Sequence, residues 1–246
     1  MEDKGLIFGR NPVLEYLRAM GPETRAELYV AQTAHGKIID EIVATAQARK
    51  IRVSRMEKDF FGSLGPSSRH QGVALKLPTP VAEADRAGID GLFTRTAVKK
   101  GVLVLLDQIT DPHNTGSIIR TAEALGCDGI IMPKSHSSGI TPAVVKSSAG
   151  ATAHIEIVQI SNVASFLEEA KSHGFWIIGT ADAGNRDLTE LGTVRPAVVI
   201  IGSEDSGMRR LTEEKCDYIV RIPLAGRISS LNASVAAGII LFQIMH

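Results

Sequence analysis

The chain has 246 residues, with 27 Lys plus Arg against 27 Asp plus Glu, so its formal net charge at neutral pH is zero. That balance excludes a protein that finds nucleic acid by bulk charge, although a local basic patch remains compatible with phosphate binding. Aromatics at 4% argue against an RNA surface of stacked rings, and hydrophobics at 44% with charged residues at 22% describe an ordinary globular chain, long enough for one large domain or two modest ones.

In chain order, Asn11 reads as a helix cap with Pro12 at the first helical position, followed by Val13, Leu14, Tyr16 and Leu17. A strand is expected at 27–30 (ELYV). Ile38, Ile39, Ile42 and Val43 place a helix over 37–49, and strands follow at 51–56 (IRVSRM) and 72–77 (GVALKL). Residues 1–78 thus predict a small α/β unit. Pro78, Pro80, Gly88 and Gly91 mark 79–100 as a linker carrying a short helix. From Gly101 the strands become unbroken apolar runs at 102–107, 129–132, 175–180 and 197–202, the pattern of central strands covered on both faces. Helical segments separate them, one over 162–173 with its stop at Gly174. Residues 101–246 are therefore expected to form a parallel-sheet α/β domain.

Cys127 and Cys216 form no CxxC pair and no cysteine–histidine cluster, so reduced thiols are expected, with no disulfide and no metal. The start, MEDKGLIFGRNP, lacks a signal peptide's apolar core, and no run suits a membrane span. A cytoplasmic protein is expected.

Ligands in parallel α/β sheets bind at loops that follow the C-terminal ends of strands. Three such loops concentrate polar residues. In the first, DPHNTG leads from a strand into a helix that carries Asn114 and Arg120. Taken alone, Asn114 reads equally as a helix cap and Arg120 as a surface charge. Gly116 stands in no GxGxxG or GxxxxGK[ST] pattern, which argues against a dinucleotide or P-loop site. In the second, a buried strand runs into Gly202, Ser203, Glu204, Asp205, Ser206 and Gly207, then Arg209 and Arg210. The bland alternative is a plain glycine turn with solvated charges. In the third, LAGRISSLN brings Ser230 and Asn232 ahead of a helix over 232–245 that is apolar on almost every face, as a buried or interface helix must be. Ser230 lacks the surroundings of an acyl-enzyme nucleophile.

Taken together, NTGSIIRTAEALG, IIGSEDSGM and IPLAGRISSLNASVAAGI resemble the signature of the SpoU (TrmH-like) family of RNA ribose 2′-O-methyltransferases. LIFGRNPVLEYL and RHQGVAL are similar to the substrate-binding domain of the branch that modifies a guanosine of large-subunit ribosomal RNA. The resemblance implies the SPOUT class, with a trefoil-knotted domain that binds S-adenosylmethionine. It further implies a homodimer whose active sites take residues from both chains, with 23S ribosomal RNA as substrate and neither membrane nor metal as partner. It assigns Asn114, Arg120, Glu204, Ser230 and Asn232 to catalysis, and the backbone around Gly202, Ile222 and Leu231 to the cofactor. Arg10, Arg69, Arg209, Arg210 and Arg227, with His70, are the expected RNA contacts. A guanidinium stays protonated, so Arg120 is expected to hold phosphate and a developing alkoxide rather than to accept a proton, which leaves through Glu204 or water. The alternatives are a transfer-RNA methyltransferase, a non-catalytic RNA-binding relative, and an unrelated nucleotide-binding α/β enzyme.

Overall fold

The structure, a computed structural model, describes residues 6–19, 26–62, 70–76, 86–181, 184, 186–191, 194–227 and 230–246. The N-terminal unit comprises β1 (Leu6–Phe8), α1 (Arg10–Ala19), β2 (Glu27–Ala31), α2 (Lys37–Ala48), β3 (Arg52–Met56), α3 (Lys58–Gly62) and β4 (Val73–Lys76). Its sheet has the order β1-β4-β2-β3, with β4 antiparallel to both neighbours and β2 parallel to β3. Ile39, Ile42 and Ala46 recur at helical spacing on α2 and join Val13, Leu14 and Leu17 of α1 over Leu28, Val30, Val73 and Leu75.

The strands expected in this unit are found, but α1 starts before Asn11. Gly9, at φ 94°, turns the chain out of β1, and its carbonyl accepts the Val13 amide at 3.1 Å. Asn11 and Pro12 therefore lie within the first turn, where a missing proline N–H sacrifices no helical bond.

The larger unit comprises α4 (Arg86–Val98), β5 (Val102–Leu106), α5 (Pro112–Ala124), β6 (Gly129–Pro133), α6 (Pro142–Ser147), β7 (Glu156–Ile160), α7 (Val163–Ser172), β8 (Trp176–Thr180), β9 (Arg186–Asp187), β10 (Ala197–Ile201), α8 (Arg210–Glu213), β11 (Tyr218–Arg221) and α9 (Ala233–Met245). Short 3-10 turns lie at Ala151–Ala153 and Leu188–Glu190. The seven strands are ordered β7-β6-β5-β10-β8-β11-β9 and every pairing is parallel. All five residues of β5, β6 and β10 are buried, as their unbroken apolar runs predict. Alternate residues feed opposite cores. Val102, Val104 and Leu106 face α5 and α9, while Leu103 and Leu105 face α4 and α7. α7 starts at its Asn162 cap and is followed by Gly174 at φ 83°, as expected.

The region expected to be a linker with a short helix contains a thirteen-residue helix, α4, anchored in the larger unit's core. Phe93 stacks on His173 with ring centroids 4.9 Å apart and meets Phe166 at 5.0 Å and Phe175 at 5.5 Å. Few large apolar residues do this work, so the segment's glycines hid the helix.

The two units share a packed seam. Val145 of α6 is buried in the N-terminal unit's core, and His154 Nε2 lies 2.9 Å from Glu15 Oε2. Gly150, at φ 95°, passes so close to α1 that a Cβ there would stand 2.8 Å from the Cβ of Glu15. At the other side of the larger sheet, β5 and β10 are neighbours although far apart in sequence. From β5 the chain proceeds outward to β6 and β7, while β10, β8, β11 and β9 occupy its other flank. The loops after β5 and β10 leave adjacent strand ends, where a ligand crevice forms in such sheets. Among the described residues no helix is long and apolar enough to cross a membrane.

Candidate active site

α5 is capped by Asp111, whose carboxylate accepts the amides of His113 at 3.3 Å and Asn114 at 3.0 Å. Asn114 is thus relieved of the capping role, and its side chain reaches the loop after β10. Its Nδ2 donates to Glu204 Oε1 at 2.8 Å, and its Oδ1 accepts Asn232 Nδ2 at 3.0 Å. Asn232 Nδ2 also donates to Glu204 Oε1 at 2.6 Å, and the Ala233 amide donates to the same oxygen at 2.9 Å. One carboxylate oxygen therefore collects three N–H groups at the positive end of α9. Asn232 caps that helix as well, since its Oδ1 accepts the Ser234 amide at 3.1 Å. Glu204 Oε2 takes no hydrogen bond from the described residues.

The loop that carries Glu204 is closed on itself. Ser203 and Gly207 exchange backbone hydrogen bonds at 3.1 and 3.0 Å, and Ser203 Oγ accepts the Ser206 amide at 3.1 Å. Gly207 adopts φ 64°, and a Cβ on Gly202 would stand 2.5 Å from the Gly207 carbonyl carbon. Both glycines are required by this turn. Gly116 has a different reason: a Cβ there would stand 1.9 Å from Ser147 Oγ, so its bare backbone lets α5 pack against α6.

Beside the loop lies a cleft of about 190 Å³ lined by the ends of β8, β10 and β11, by the loop before α9 and by α9 itself. Gly202, Glu204, Ile222, Ser230 and Leu231 all line it. Its walls include Ile201, Val220, Leu224 and Ile240, Glu204 and Asp205 contribute carboxylates, and Arg221 is the single cation among its described lining residues. Arg221 Nε donates to Asp187 Oδ1 at 2.6 Å.

The remaining predicted residues are dispersed. Arg120 is exposed on α5, six residues beyond Asn114, outside the cleft lining and without a hydrogen-bond or ion-pair partner among the described residues. Arg10 lies in the N-terminal unit, where its amide donates to Gln71 Oε1 at 3.0 Å and its Nε to the Gln71 carbonyl at 3.2 Å. Arg210 pairs with Glu214, and Arg227 is exposed in the loop after β11. Arg69 lies outside the described residues. Arg209 does not stand free in solvent. Its Nε donates to Oδ1 of the fully buried Asp107 at 2.7 Å and its amide to Oδ2 at 2.9 Å. Burial pushes the Cys127 and Cys216 thiols up to about 12, with neighbouring acidic side chains adding to the shift. Among the described residues no cluster of three or more metal-ligating side chains occurs.

Sequence reading missed Asp107, Arg221 with Asp187, and Thr180 with Ala181 at the cleft. A usable signal was present, since each except Asp187 stands at or just past the C-terminal end of an apolar strand.

The pattern of the SpoU rRNA Methylase family matches residues 101–242, and that of an RNA 2′-O ribose methyltransferase substrate-binding domain matches residues 6–81. YacO of Bacillus subtilis (strain 168), named for the TrmH family of tRNA/rRNA methyltransferases, is 34% identical over 97% of this chain and 94% of its own. A relative from Staphylococcus saprophyticus named for the same family is 37% identical over 98% of this chain and 95% of its own. The SpoU methyltransferase AviRb of Streptomyces viridochromogenes, solved in complex with the cofactor AdoMet, superposes with a TM-score of 0.78 at 26% identity, covering 99% of this chain and 89% of that one.

Proposed function

This chain belongs to the SpoU family of S-adenosylmethionine-dependent RNA methyltransferases, and from that premise we propose that it methylates a ribose 2′-hydroxyl in a guanosine of 23S ribosomal RNA, in the cytoplasm. The observation that carries this reading is the Asn114–Glu204–Asn232 cluster beside an aliphatic cleft at the ends of β8, β10 and β11. The match of residues 6–81 to a ribose-methyltransferase substrate-binding domain supports the 2′-hydroxyl as target. A transfer-RNA substrate is the second reading, favoured by the names of the relatives, which cover both RNA classes.

The donor set suits the cofactor. Ile201, Val220, Ile222, Leu231 and Ile240 offer an apolar slot for an adenine ring, and Glu204 with Asp205 offers negative charge to its cationic end. When bound, S-adenosylmethionine supplies a methyl group activated by attachment to a positively charged sulfur. Gly202, Ile222 and Leu231 would hold it through their backbone, inside a chain we propose to be threaded as a trefoil knot. Glu204 Oε1 is committed to three donors, so its task is to hold the loop after β10, α5 and α9 in register. Ser230 and Asn114 would orient the ribose, and the hydroxyl proton leaves to water.

Arg120 lies about 9 Å further along α5 than Asn114 and outside the cleft lining. We propose a homodimer that brings a second copy's Arg120 to the site, where it holds RNA phosphate and the developing alkoxide. α9 offers the surface. Val235 is 51% exposed, Ile239 42% and Phe242 56%, at spacings that put them on one face.

Methyl transfer from labelled S-adenosylmethionine to unmodified 23S and transfer RNA tests the proposal. Alkaline digestion of the product should leave label in alkali-resistant dinucleotides, because a 2′-O-methyl group blocks cleavage of the adjoining phosphodiester. Label in alkali-sensitive nucleotides would rule out the ribose. Arg120→Ala should abolish incorporation, and full activity in that variant would remove Arg120 from the site.

A further inference from the structure

We propose that Arg209 is a positioning residue for the cofactor loop, latched by buried Asp107, and not a contact for RNA. The inference rests on reading the cleft beside Glu204 as the cofactor site.

Asp107 follows β5 directly and has no exposure, so its charge must be met inside the protein. Arg209 meets it three ways. Its backbone amide donates to Oδ2 at 2.9 Å and its Nε to Oδ1 at 2.7 Å. Its Nη2 stands 2.6 Å from Oδ1 but outside hydrogen-bonding geometry, so that third contact is ionic only. Because the backbone takes part, the pair holds the chain itself and not merely a side chain.

The held point is the exit of the Ser203–Gly207 loop, two residues beyond Gly207. The loop's entry is pinned as well, since the Asp107 amide donates to the Ile201 carbonyl at 2.9 Å. Next in sequence, Gln108 takes a left-handed φ of 64° and places Nε2 3.4 Å from Ser206 Oγ and from the Gly207 carbonyl. Residues 107 and 108 thus grip both ends of a loop whose tip presents Glu204 and whose base, Gly202, lines the cleft. Nε and Nη2 both stand against Asp107 Oδ1, so the guanidinium is oriented by the buried carboxylate. Lysine cannot reproduce the two-nitrogen approach.

The test uses the full chain as Arg209→Ala, Arg209→Lys and Asp107→Asn. Binding of S-adenosylhomocysteine is measured by calorimetry, and binding of a 23S RNA fragment is measured across a salt series. Asp107 cannot reach RNA, so Asp107→Asn separates the two roles. The expected result is at least a tenfold loss of S-adenosylhomocysteine affinity in Arg209→Ala and Asp107→Asn and a smaller loss in Arg209→Lys. RNA affinity should stay within twofold of wild type, with the salt slope unchanged.

Two results overturn the latch while leaving the cofactor site standing. One is unchanged S-adenosylhomocysteine binding with RNA affinity lowered in Arg209→Ala and a salt slope smaller by about one, the mark of a lost phosphate contact. The other is an equal loss of both ligands with a collapsed melting transition in all three variants. A wild-type chain that binds no S-adenosylhomocysteine would overturn the cofactor-site reading and the latch with it.

Discussion

In the N-terminal sheet, β3 exposes Arg52 and Arg55, and ion pairs of the unit such as Arg18 with Glu15 and Glu41 and Arg52 with Glu27 lie at the surface. In the seven-stranded sheet, β5, β6 and β10 are buried at every residue, and an ion pair reaches a carboxylate with no exposure at all. Exposed charges are screened and individually weak, so they suit a surface that meets a long, variable polyanion. A buried charge tolerates one geometry only, so it suits a site where a few atoms must be held in register. In the larger unit the Asn114–Glu204–Asn232 cluster and the Asp107–Arg209 pair lie past the ends of β5 and β10.

The sharpest contrast should come from the cores. Leu105→Ala empties a fully buried position between β10 and β6 and should cost about 2–5 kcal/mol, read as a lowered denaturant midpoint. A loss under about 1 kcal/mol would show the sheet relaxing around the gap. At the polar end, Glu204→Ala should lower kcat by about 100-fold, the scale of one lost preorganised site contact. Glu204→Gln, which keeps an acceptor oxygen, should stay within about tenfold. If both variants fall equally, Glu204 takes up the ribose proton and the water route proposed here is wrong.

Gly116→Ala drives a Cβ into Ser147 Oγ and the Val144 carbonyl, and overpacking of this kind costs about 1–3 kcal/mol. It should also reduce turnover, because α5 carries Asn114; an unaltered rate would uncouple the α5–α6 contact from the site.

Mild acid should single out the N-terminal unit. His70 packs against Phe61 with ring centroids 4.7 Å apart, and its Nδ1 accepts the Gly72 amide at 3.0 Å, a bond only the unprotonated nitrogen can accept. Burial holds its pKa below the usual 6.5. The contribution is therefore complete above that value and is lost as pH falls through the lowered one, where the unfolded chain binds the proton better. Hydrogen exchange should rise first in β4 and α3 below about pH 6, and His70→Gln should flatten that response. Smallest of all, Arg18→Ala removes two surface pairs, with Glu15 and Glu41, and should leave the melting temperature unchanged within error.

Much of this was legible in the sequence because the signals were dense. Five-residue apolar runs identified β5 and β10, and the residues just past them identified two of the three loops that meet. Asn114, Glu204 and Asn232 were nominated and do converge. β7 was missed because an edge strand with Glu156 and Gln159 shows solvent-facing residues instead of a run. A short helix was expected in the linker, but the length and core anchoring of α4 were not, because two residues, Leu92 and Phe93, supply its buried anchor within a glycine-containing stretch. Arg209 and Arg210 are adjacent and identical in type, yet one grips a buried carboxylate and the other a surface glutamate. Periodicity cannot separate them, because the partner lies 102 residues away in sequence.

α6 is only six residues long, yet both halves of the molecule lean on it. Val145 points into the N-terminal core, while the next turn sets Ser147 Oγ 3.0 Å from the Pro112 carbonyl at the head of α5. A swing of the N-terminal unit must either peel away from Val145 or drag this short helix along. In mechanical terms α6 is a keystone between the two units, so strain on the first arrives a single helix away from Asn114.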